Sequence, residues 1–142
     1  MVIYYVNNKK GHTMATWKDL EKHIKSEFQV LPDAPIGTIG ILFPVGDRKQ
    51  QVFIRREGND RIGEWAVILS PIGKVSAAKL KEITQAAYGL LIGGIVMLND
   101  VVMISHSVAL ASFDVNEISL PIVVITASAD RLEEEYTGKD FH

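Results

Sequence analysis

His106 stands between two serines in Ile104-Ser105-His106-Ser107-Val108, and a hydroxyl beside an imidazole is the pairing that nucleophilic catalysis uses. The stretch alternates apolar and polar residues as a strand does, so neighbouring side chains point to opposite faces and neither serine shares a face with the ring. A structural or surface histidine is expected. His12, His23, His106 and His142 are scattered, without the His-x-x-x-His or His-x-x-Glu-His spacing that sets two ligands on one helical face, so no metal site is expected. Glu133-Glu134-Glu135 beside Asp130 resembles a carboxylate cluster, but consecutive helical positions fan around the axis, and the expectation is a solvated face. The glycines at 37, 40, 89, 93 and 94 match neither a dinucleotide fingerprint nor a P-loop, and Gly93-Gly94 reads as a helix C-cap and its loop. Arg48, Lys49, Arg55, Arg56 and Arg61 gather on one hairpin, but Asp47, Glu57, Asp60 and Glu64 interleave with them, as on a solvated sheet edge. No catalytic residue, cofactor or nucleic-acid partner is expected.

The bulk numbers agree with that reading. The chain has 142 residues, 47% of them hydrophobic, enough for one domain with a continuous core. Fifteen basic and seventeen acidic side chains give a net charge of -2, so no global field attracts nucleic acid or an anionic membrane. There is no cysteine, which excludes disulfides and thiolate chemistry and suits a reducing compartment. The apolar run at residues 2–6 is too short for a signal-peptide core and its charges follow it. No run approaches the roughly 20 residues that span a bilayer. A cytoplasmic protein is expected, with residues 1–15 an extension of marginal structural value, 16–138 one domain and 139–142 a tail.

The elements follow from the spacing of apolar residues. Thr16 and Asp19 form a capping box ahead of Trp17, Leu20, Ile24, Phe28 and Leu31, which predicts a helix over residues 17–30, stopped by Pro32 and Pro35. Alternation at Ile39, Ile41 and Phe43, then at 51–56 and 64–69, predicts three strands joined by turns at Gly46-Asp47 and at 57–60, with Pro71 and Gly73 ending the third. Ser76 caps a second helix over 77–89, whose stripe is Leu80, Ile83, Ala87 and Leu90 or Leu91. Residues 95–98 pair with 101–108 across Asn99-Asp100, a two-residue hairpin loop. Asp114 with Glu117 forms another capping box. Val115, Ile118, Ile122, Ile125, Ala129, Leu132 and Tyr136, spaced three and four apart, then predict a third helix in spite of Pro121, because Ser119 caps a second start where proline is tolerated. The class is α+β: a two-layer domain with an antiparallel sheet and helices in the order α-βββ-α-ββ-α.

Residues 120–127 are apolar almost all round, whereas a helix in a small two-layer domain buries one face within its own chain. The surplus is expected to meet another subunit, through Tyr88, Leu120, Val123, Val124 and Ala127.

Trp17-x-x-Leu20, Trp65 in the third strand, Val108-x-Leu110, Asp114-x-x-Glu117-Ile118 and Ala129-Asp130-x-Leu132, in this element order, resemble the CesT-type chaperones of type III secretion and the related YbjN-like bacterial proteins. The resemblance covers about residues 16 to 138. It implies a non-enzymatic homodimer that holds an extended segment of a partner protein. These secretion chaperones are more acidic than this chain, which favours the YbjN-like branch. The rival readings are an enzyme or small-ligand sensor with a pocket between sheet and helix, and a roadblock-like scaffold, which has fewer strands before its middle helix.

Overall fold

The computed structural model describes residues 15–112 and 114–137. Its order is helix α1 (Trp17–Glu27), strands β1 (Thr38–Val45), β2 (Arg48–Asn59) and β3 (Gly63–Lys74), helix α2 (Ala77–Ala86), strands β4 (Gly94–Leu98) and β5 (Val101–Ala109), and helix α3 (Ser119–Tyr136). The strands form one antiparallel sheet in the order β1-β2-β3-β5-β4. This is the expected α+β architecture.

The helices form one layer. α3 packs on β1, β2, β3 and β5, α2 packs on α3, and α1 is tied to the start of α3, where His23 Nε2 lies 3.2 Å from Ser119 Oγ. Between the layers lie Leu20 and Ile24 of α1, Ile41, Ile54, Ile68 and Ile104 of the sheet, and Ile122, Ile125 and Ala129 of α3, all fully buried. The α3 stripe thus runs along the core as its spacing predicted, and the β-branched run 122–126 is helix.

Local signals decide the well-formed ends. At α1, Thr16 accepts from the Asp19 backbone N–H while the Asp19 carboxylate accepts from Thr16, a complete capping box. At the β4–β5 turn, Asn99 and Asp100 both have positive φ, 48° and 67°, the type I′ geometry whose twist suits a two-residue hairpin.

Several boundaries differ from expectation. α1 stops at Glu27 because Phe28 turns extended and residues 29–31 pair along the free edge of β1, through Leu31 N–H to the Gly40 carbonyl (2.8 Å) and Leu42 N–H to the Gln29 carbonyl (3.0 Å). β2 runs on through residues 57–59, so the turn falls at 60–62, where Asn59 Oδ1 accepts from the Arg61 and Ile62 N–H groups. Pro71 and Gly73 do not end β3: Ile72 stays on the core face with Ala66, Ile68 and Ser70, and the register shifts between Pro71 and Gly73, a bulge after which Gly73 pairs with Val102. α2 ends at Ala86, with residues 87–89 tightening into a 3₁₀ turn. Asp114 and Glu117 form no box. Asp114 Oδ1 accepts from the Asn116 N–H, and its carbonyl from the Glu117 N–H, in a 3₁₀ turn (Val115–Ile118). That turn runs straight into α3, so the residue before the helix is already helical and Ser119 is left to face His23 instead of capping. Of the expected extension at 1–15, residues 1–14 lie outside the described residues, as does the expected tail at 139–142.

Candidate functional surface

Side chains that might have done chemistry are occupied with structure. His106 is half-buried on the core-facing row of the sheet, directly opposite Ile68, and Ser105 and Ser107 lie on the opposite face, as the alternation requires. Arg55 meets Glu57 at 2.8 Å and Arg56 meets Glu64. A shallow depression of about 530 Å³ beside the β2–β3 turn is lined by residues such as Arg56, Asn59 and Glu64. Among the described residues no group of three or more histidine, aspartate and glutamate side chains has the arrangement of a metal site.

The carboxylates of α3 depart from the solvated face expected of them. Glu134 and Glu135 are exposed, but Asp130 and Glu133 are buried at 5% and 2% exposure, because they flank the core residues Ala129 and Leu132 on the side turned to the sheet. Arg48, at the start of β2, donates to Asp130 (2.5 Å) and Glu134 (2.9 Å), which ties the β1–β2 turn to the C-terminal half of α3. The bonds to Glu134 and then Asp130 raise the Arg48 pKa above its ordinary value. Beneath them Gln50 is fully buried, with its Nε2 donating to Ser70 Oγ (3.1 Å) and to the Pro71 carbonyl (2.6 Å). An arginine between two carboxylates, one of them nearly dry, is a structural clamp.

The residues proposed for an interface fall in two places. Leu120 (69% exposed), Val123 (41%), Val124 and Ala127 lie along the outer stripe of α3, with Val124 half-buried, while Tyr88 is 98% exposed in the 3₁₀ turn after α2.

A larger apolar surface, which the sequence reading missed, is the face of the sheet turned away from the helices. Cross-strand pairing places Phe53 opposite Leu69, Leu69 opposite Ser105, Pro71 opposite Met103, and Met103 opposite Val96, with Val67 and Leu98 on the same face. Phe53, Val67, Leu69 and Met103 are half-buried and Val96 and Leu98 exposed, although among the described residues the helices all pack on the other face. Arg55, Glu57 and Ser107 bound this apolar field at one end. The available signal was Trp65-Ala66-Val67-Ile68-Leu69, apolar at odd and even positions alike. Such a strand has two apolar faces, and one helical layer covers one of them.

No protein-family model matches the chain, and no curated protein matches it.

Proposed function

We propose that this protein is a non-enzymatic, chaperone-like binding module that acts as a homodimer and holds an extended segment of a partner polypeptide. The observation that carries the reading is the apolar outer face of the sheet around Phe53, Leu69 and Met103. Contiguous apolar surface bounded by polar residues marks an interaction site in a water-exposed protein. A pleated face offers alternating grooves and ridges into which side chains of an extended chain can pack. The element order supports the resemblance to the YbjN-like and CesT-type proteins.

The test is fluorescence anisotropy of a labelled, permanently unfolded polypeptide titrated with the full chain. Wild type should bind, and Leu69→Glu and Met103→Glu, each shown to be folded by far-UV circular dichroism, should weaken binding by at least about tenfold, since each puts an uncompensated carboxylate into an apolar contact. Undiminished binding by both variants would remove the outer face from the account.

A further inference from the structure

The two edges of the sheet are treated differently. The outer edge of β1 is covered by residues 29–31, which hydrogen-bond to it and bridge Val30 to Ile41. Edge β4 has no other strand on it among the described residues, and its sequence Gly-Ile-Val-Met-Leu has no charge, no proline and no bulge against β5. Val96, Met97 and Leu98 are 39%, 47% and 56% exposed. The chain around it is almost uncharged too, since between Glu82 and Asp114 the sole aspartate, glutamate, lysine or arginine is Asp100, while across the sheet Lys74 pairs with Val101, the residue opposite Leu98.

Hairpin geometry tells which backbone groups point outward. In a two-residue type I′ hairpin the closing pair, here Leu98 and Val101, exchanges both hydrogen bonds, and bonded pairs then alternate with non-bonded ones. Leu98, Val96 and Gly94 therefore bond to β5, and the N–H and C=O groups of Ile95 and Met97 face away from the sheet.

We infer that the β4 edge is the homodimer contact: β4 pairs antiparallel with β4 of a second copy about a two-fold axis through Val96. This rests on the homodimer reading above and places its interface. The register is self-complementary, because Ile95 of each copy falls opposite Met97 of the other and the two residues with outward backbone groups satisfy each other. Charge favours a second copy over a charged segment of another protein. The edge has no charge with which to select one, and self-pairing keeps the two Asp100 side chains at opposite ends of the contact, about 25 Å apart at strand rise. A five-residue strand pair by itself falls short of the roughly 800 Å² per partner of a standard interface. Leu91 and Tyr88, 90% and 98% exposed a few residues upstream of β4, are further apolar side chains available to a partner. The outcome is a ten-stranded sheet in which the two apolar outer faces become one platform.

The experiment is multi-angle light scattering on the full chain together with amide exchange at Met97. Wild type should run at twice the 15.7 kDa subunit mass, with a protected Met97 N–H. Met97→Pro removes an outward donor without touching the β5 ladder and should give a folded monomer. Val96→Lys, which leaves the backbone intact and sets two like charges face to face at the axis, should do the same. Lys18→Glu, on the exposed face of α1, should stay dimeric. A dimer that survives both edge substitutions, or a wild-type dimer with an unprotected Met97 N–H, overturns the edge contact and leaves the homodimer reading standing; a monomeric wild type overturns the homodimer reading itself.

Discussion

At Thr16 and Asp19 two side chains close the start of α1 on each other, and the exchange has a measurable pH signature. Its hydrogen bonds with Thr16, the backbone one first, hold the Asp19 pKa below its ordinary value of 3.8. A carboxylate with a lowered folded-state pKa stabilises the fold above the unfolded value, and the contribution is lost as pH falls through the lower folded one. Acid titration of thermal stability should therefore show wild type losing its advantage over Asp19→Asn as pH drops below about 4, with the two unchanged relative to each other at neutral pH. Thr16→Ala should cost about 1 kcal/mol at neutral pH, the usual worth of an N-cap, measured by urea unfolding. Two glycines make a second contrast. Gly93 has φ +83°, and a Cβ there would sit 2.9 Å from Ile104 Cγ2 and 3.1 Å from Ile125 Cδ1, so Gly93→Ala should destabilise by about 2 kcal/mol or more. Gly89 has open space around its Cβ position, and Gly89→Ala should be neutral or stabilising by about 0.5 kcal/mol in the same unfolding series.

At the scale of elements, order was legible from the chain and several of the ends were not. The stripe from Ile118 to Leu132 identified α3 because a period of three and four outlasts a short β-branched run, and Asn99-Asp100 marked its hairpin because both residues tolerate left-handed geometry. Ends that depend on a distant partner stayed hidden. Residues 29–31 left the helical pattern for the edge of β1, and Pro71 was carried through β3 by a bulge that exists only in register with β5. The apolar outer face was legible only in part: the unbroken apolar run 65–69 marks two apolar faces on one strand, but which residues of the other strands join it depends on the cross-strand register. The Arg48 clamp joins residues 82 apart and has no local pattern at all. Its weight is open to measurement by thermal melts. Arg48→Met, which strands the buried Asp130 carboxylate, should lower Tm more than the double variant Arg48→Met/Asp130→Leu, in which neither charge remains.

For the whole molecule, the described helices form one layer on a five-stranded sheet, and among the described residues none packs as a second layer on the other face, which is apolar. A fold with its core on one side and a broad apolar field on the other is suited to binding, and the neutral β4 edge extends that field beyond one subunit. The direct test is site-specific photocrosslinking: a photoreactive phenylalanine analogue at Val67, on the outer face, compared with one at Lys81, on the exposed surface of α2, each mixed with the same unfolded polypeptide. The account predicts covalent adducts from position 67 and none above background from position 81. Adducts of equal yield from both positions, or none from position 67, would contradict it.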